Sequence, residues 1–173
     1  MKKEFVRIGQ TPLSISIYSV EKTATHIHER GYLEIIFCLQ GSVKFTYGYE
    51  EFTLHGGEYI SVDKDAYYLY EGKDNLCVSF LFDLECYEDE HPYICDTLFV
   101  CEGFAGEMTA FSKKAHNRLK GMLIGLLKYM VEDVNEDLIA HVSANIISLF
   151  VENFDIFFYH INYTSNVNYD LEG

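Results

Sequence analysis

Two imidazoles two residues apart, His26 and His28, precede the carboxylate of Glu34, and Gly41 follows. On an extended strand alternate residues share a face, so His26 and His28 converge and Glu34 can join them from the next strand. That set suits a divalent metal with open positions, or the polar floor of a small-molecule pocket. A phenolic group lies further on, with Tyr47 and then Tyr67, Tyr68 and Tyr70. Other chemistries lack their motifs: the chain has no GxSxG elbow, no GxxxxGK phosphate loop and no HExxH. The acidic cluster of Glu85, Glu88, Asp89 and Glu90 stands just before Pro92 and reads as a solvated loop.

The elements that must position these groups fall into two kinds. From about residue 4 to residue 83 the apolar pattern has a period near two. Leu13, Ile15 and Ile17 alternate with Ser14, Ser16 and Tyr18, and Val43, Phe45 and Tyr47 alternate with Lys44 and Thr46. Gly31, Gly41, Gly48, Gly56-Gly57 and Gly72 break the series, which predicts many short antiparallel strands and a barrel rather than an open sheet. After Gly106 the spacing becomes helical: Leu119, Met122, Leu123, Leu126, Leu127 and Met130 make one stripe. A polar link around Glu132 to Glu136 follows, with Asn135 as N-cap and Glu136 and Asp137 as an acidic first turn. A second stripe runs through Leu138, Val142, Ile146, Leu149 and Phe150 to Phe154, Phe157, Phe158 and Ile161. Ile147 and Val151 widen it beyond what one barrel face needs, which predicts a homodimer through these helices. The expected division is a barrel with an N-terminal arm over 1–105, a helical hairpin over 106–161 and a linker-like tail over 162–173.

Parity assigns the pocket. If Glu34 points inward, so do Ile36 and Cys38, and a two-residue turn at Gly41-Ser42 pairs Cys38 with Phe45 and Ile36 with Tyr47. Tyr68 inward carries Tyr70 with it. The expected ligand-binding set is therefore His26, His28, Glu34, Phe45, Tyr47, Tyr68 and Tyr70, which suits a sugar or another small polar metabolite.

Charge excludes one class of partner. With 13 basic and 27 acidic residues the formal net charge is −14, and phosphate backbones repel such a chain. Five cysteines without a CxxC pair argue against a disulfide framework and a thiolate zinc site. The start, MKKEFVRIGQT, has no apolar run behind its lysines, and no stretch spans a bilayer, so the expected setting is cytoplasmic with no membrane partner.

The order HxH, Glu34, Gly41 resembles the first signature of the cupin superfamily, with a longer loop before Glu34 and Val20 where a Gly is usual. The segment GEYISVDKDAYY from Gly57 is similar to the second signature, but Asp63 and Asp65 stand for its Pro and Gly, and Tyr68 for its His ligand. The run from His26 to Tyr70, together with the helix pair, resembles more closely the amino-terminal domain of AraC-like transcription regulators, over about residues 10 to 160. That resemblance implies a mainly β fold with C-terminal α: a cupin-type antiparallel β-barrel (a double-stranded β-helix or jelly roll) followed by a two-helix hairpin. It implies an effector-sensing, dimerising domain that is not an enzyme and carries no cofactor. DNA would be reached only through a helix-turn-helix module absent from this chain. The alternatives are a metal-dependent cupin isomerase or oxygenase using His26, His28 and Glu34, and a stand-alone carbohydrate-binding cupin.

Overall fold

The computed structural model describes residues 3–24, 31–62, 68–103 and 110–155. Among them eight strands form one antiparallel sheet: β1 (Val6–Arg7), β2 (Leu13–Tyr18), β3 (Lys22–Ala24), β4 (Tyr32–Tyr47), β5 (Glu50–His55), β6 (Tyr59–Val62), β7 (Leu69–Asp83) and β8 (Glu102–Gly103). Their order is β1-β2-β7-β4-β6-β8, with β3 added on β7 and β5 on β4. β4 and β7, of 16 and 15 residues, pair from Tyr32↔Asp83 to Thr46↔Leu69. Each runs through both halves of the sheet and bends midway, which curls the sheet into a cupin-type barrel.

Burial on both faces explains why the stretch Leu33 to Cys38 shows no clean alternation. Leu33, Ile35 and Phe37 face outward and join Phe80, Leu119, Leu123 and Phe150 in a core shared with the helices. Glu34, Ile36 and Cys38 take the opposite parity; Ile36 and Cys38 pack with Phe45, Tyr68, Tyr70 and Cys77 inside the barrel.

The expected turn at Gly41-Ser42 is a bulge instead, and this corrects the pairing deduced from it. β4 continues through Gly41, and the hairpin closes later, at Gly48-Tyr49, with Tyr47 opposite Glu50. Cys38 therefore pairs with Cys77 and Ile36 with Ser79, while Phe45 pairs with Tyr70 and Phe52. Gly41 has φ +75, and a Cβ there would strike the Asp74 carbonyl, so only glycine fits the crossing. The ladder slips between Cys38 and Ser42, which switches the inward set from even positions (34, 36, 38) to odd ones (43, 45). Asn75 fastens this corner: its Oδ1 accepts from Val20 N at 2.7 Å, and its Nδ2 donates to Val20 O at 2.7 Å and Ser42 O at 3.3 Å.

Two helices follow, α1 (Ala110–Glu132) and α2 (Glu136–Asn153). The expected cap is present: Asn135 Oδ1 accepts from Leu138 N at 3.0 Å, with Glu136 and Asp137 in the first turn. The apolar surplus on α2 is absorbed differently from expectation. Ile147 is buried in the helix–barrel core and Val151 packs against it. Phe157, Phe158, Ile161 and the 105/106 junction lie outside the described residues. Among the described side chains, the large apolar ones left exposed on α1 and the link are Ile124, Val131 and Val134.

Asn75→Ala strands two buried backbone groups of Val20 and the half-buried Ser42 carbonyl, and is expected to cost about 2–4 kcal/mol in urea unfolding. A loss below about 0.5 kcal/mol, the scale of a surface substitution, would show that Asn75 does not hold the bend.

Candidate functional site

A buried carboxylate lies in the barrel interior, a chamber that side chains fill. Glu34 lies on the inner strand β4, paired on one side with Val62 of β6 and on the other with Leu81 of β7, and it is fully buried. A carboxylate so placed needs a counterion or strong donors, because burial penalises its charge. Lys3, from the arm ahead of β1, supplies one: its Nζ lies 2.5 Å from Glu34 Oε1, and its side chain is 4 % exposed. The ammonium also sits 5.0 Å from the ring centres of both Tyr18 and Tyr70, on whose faces a cation is attracted. Burial lowers the Lys3 pKa, and Glu34 opposes the shift.

The phenols are held neutral. Burial raises the Tyr18 pKa, helped by the Glu34 charge, and its hydroxyl lies 2.7 Å from Ser79 Oγ. Burial and Glu34 raise Tyr70 in the same way. The Tyr70 hydroxyl has no hydrogen-bond partner among the described residues. Beside Lys3, burial pushes the Cys77 thiol up to about 12, so it is not a nucleophile at neutral pH.

From this floor an aromatic path leads outward. Tyr70 and Phe45 have ring centres 4.7 Å apart, Phe45 meets Tyr68 edge-on at 6.4 Å, and Tyr68 meets Tyr47 at 4.9 Å. Tyr47 and Tyr68 also line an open cavity of about 560 Å³ with Phe52 and the carboxylate-bearing Glu50, Glu51 and Glu102; Glu34, Lys3 and Tyr70 are not part of its lining.

The sequence-derived set is thus partly assembled. Glu34, Phe45, Tyr68 and Tyr70 face the chamber, while Tyr47 is 45 % exposed and stands at its rim. His26 and His28 lie outside the described residues. Lys3, Tyr18 and Ser79 were missed. The Ser14, Ser16, Tyr18 parity of β2 holds the clue, because its serine-rich side faces the chamber and its Leu13 and Ile15 side faces the helices. Nothing in MKKEF marks Lys3.

Among the described residues no group of three His, Cys, Asp or Glu side chains converges, and His26 and His28, the ligands expected beside Glu34, lie outside them.

A second buried polar group lies between barrel and helices. Tyr59 OH is 2.7 Å from His116 Nδ1 and 2.9 Å from His116 O, and Cys101 Sγ lies 4.0 Å from Nδ1. Burial lowers the His116 pKa.

Mainly antiparallel strands curled into a barrel, with a helical hairpin behind, define the cupin-type or double-stranded β-helix fold. The AraC-like transcriptional activator CuxR has this fold: it superposes with a TM-score of 0.56 at 9 % identity, over 86 % of this chain and 53 % of that one. This chain therefore spans about half the length of that activator. A cupin-2 domain protein of Shewanella frigidimarina matches over 47 % of this chain and 79 % of its own, at 14 % identity and a TM-score of 0.39. The EutQ protein of Clostridium difficile matches over 53 % and 67 %, at 11 % identity and 0.39. The sequence matches no protein-family model and no curated protein. Among the described residues no helix is long and apolar enough to cross a membrane.

Two measurements follow. Lys3→Met leaves Glu34 fixed in β4 without its ammonium and is expected to cost about 2–4 kcal/mol; Glu34→Gln costs less, about 1–2 kcal/mol, since the arm can carry Lys3 into water. Equal losses, or the reverse order, would contradict an arm-borne cation. His116, held below its ordinary value, stays neutral in the fold while the unfolded chain takes up a proton as pH drops. Stability is present above the ordinary value of 6.5 and lost as pH falls from there towards the lowered value. The melting temperature should fall between about pH 7.5 and about pH 5.5, and fall less in His116→Gln. An unchanged slope in the variant would remove His116 from the explanation.

Proposed function

We propose that this chain is the effector-sensing and dimerising domain of an AraC-like transcription regulator, and not an enzyme. It binds a sugar or another small polar metabolite inside the barrel. One observation carries the reading: a single segment touches both the chamber and the helices. Lys3 reaches Glu34 within the barrel, and seven residues later Gln10 N donates to Glu136 Oε2 in the first turn of α2 at 3.3 Å. A ligand that takes the place of Lys3 displaces the start of this segment, and sensing requires that the displacement pass through β1 and the Ile8–Thr11 turn to the Gln10 bond with α2.

Such coupling works only through unequal affinity for the arm-in and arm-out states. The arm-in state already fills the floor of the chamber, so an occupant of that floor favours arm-out. The shared fold with an AraC-like activator and the helix pair behind the barrel support the regulatory reading. Dimerisation is assigned to the outer face of α1, where Ile124 and Val131 remain exposed seven residues apart. With a net charge of −14, contact with DNA belongs to a separate basic module. The chain is placed in the cytoplasm, where such a regulator acts.

The test combines a thermal-shift screen with light scattering. At about 100 times its dissociation constant a true effector stabilises the fold by about 2.7 kcal/mol and raises the melting temperature. The chain should run as a dimer, and Ile124→Glu with Val131→Glu should make it a folded monomer whose melting temperature no longer rises with protein concentration. A monomer at all concentrations, with no stabilising compound in a panel of neutral, anionic and cationic metabolites, would overturn the reading.

A further inference from the structure

We propose that the effector is a small organic cation, an alkylammonium-type compound, which displaces the Lys3 ammonium from Glu34 and takes its place between Tyr18 and Tyr70. The proposal rests on the sensing reading above and deepens it.

Lys3 itself is the first observation. Its four-methylene stem and charged head lie almost wholly inside the protein, with the head on Glu34 Oε1 and 5.0 Å from two ring centres. The barrel interior therefore already solvates an alkylammonium, with a carboxylate for the charge and two aromatic rings beside it. Tyr70 adds a buried hydroxyl with no described partner, an acceptor within the same enclosure.

Charge conservation selects among occupants. Glu34 is fixed in an inner strand and cannot follow the departing arm. A neutral ligand in the place of Lys3 takes one positive charge away from the surroundings of a buried carboxylate, whatever else Glu34 touches, and an anion sets a second negative charge beside it. A cation replaces like with like. The surface has the same bias: Glu50, Glu51 and Glu102 line an open cavity together with Tyr47, Phe52 and Tyr68, and the whole chain carries −14, which raises the local concentration of cations.

Because the arm must leave first, the affinity seen in the wild type is weakened by the fraction of time the floor is vacant. Removal of the Lys3 side chain should lift that competition. The probes are n-butylammonium chloride, its neutral counterpart n-butanol and the anion butyrate, titrated calorimetrically against wild type, Lys3→Ala and Glu34→Gln. A second readout is acetylation of Lys3, followed by mass spectrometry of the wild type with and without each probe.

Butylammonium is expected to bind Lys3→Ala at least about tenfold tighter than wild type and to restore its melting temperature. It should speed acetylation of wild-type Lys3 at least about tenfold, as expected if the arm is in place most of the time. Glu34→Gln should lose binding, and Glu34→Asp, which keeps the charge but retracts it, should weaken binding if the glutamine variant fails to fold. Butanol binding as well as butylammonium, butyrate stabilising either protein, or no gain in Lys3→Ala would overturn the proposal. A neutral sugar that binds the barrel independently of Glu34 would sink it while the sensing reading stood. Silence of every charge class in both wild type and Lys3→Ala would end both.

Discussion

One ammonium held on one carboxylate inside a closed barrel is the constraint on which the rest depends. Glu34 is embedded in β4, paired on both sides, and has no route to solvent. Its charge therefore fixes what can stand in front of it. Lys3 is the reverse case, a cation ahead of the first paired residue of its segment, which joins the barrel through the β1 pairing and the Ile8–Thr11 turn. Of the two partners, only Glu34 is held by strand pairing on both sides. That asymmetry turns a structural ion pair into a site whose occupant can change.

The barrel supplies the rigid half. β4 and β7 carry both sheet halves, and the slip between Cys38 and Ser42 lets one strand present Glu34 on the floor and Phe45 on the wall. Without the bulge, strict alternation would turn Phe45 away from the chamber. Asn75 and Gly41 make the bend affordable, one by satisfying three backbone groups and the other by leaving room for a crossing carbonyl. The helices pack on the outer face of the same strands, so the chamber and the helix pair share β4 as a wall.

Much of this was legible in the sequence, for reasons that particular residues make plain. Period-two alternation up to Asp83 and helical spacing beyond Gly106 gave the mainly β barrel and the helix pair, and Asn135 marked the start of α2 by cap chemistry. Inward Glu34 was a premise suggested by the cupin resemblance, and the strand period then carried that parity to Ile36 and Cys38. Gly41 misled because a glycine at positive φ serves a hairpin or a bulge equally well, and its partner, the kink at Asp74 and Asn75, lies far along the chain. Lys3 was invisible because its contact with Glu34 spans 31 residues and obeys no period. The surplus apolar residues of α2 misled because β-sheet and α1 together cover Ile147, which no helical wheel reveals.

The central claim is that the Lys3 ammonium resides inside the barrel on Glu34. Heteronuclear NMR on protein carrying nitrogen-15 lysine reads this directly, since an ammonium shielded from water exchanges its protons slowly and gives its own signal. The account predicts one such signal with proton contacts to two tyrosine rings, absent in Lys3→Ala. Fast exchange at every lysine of the folded protein would contradict it.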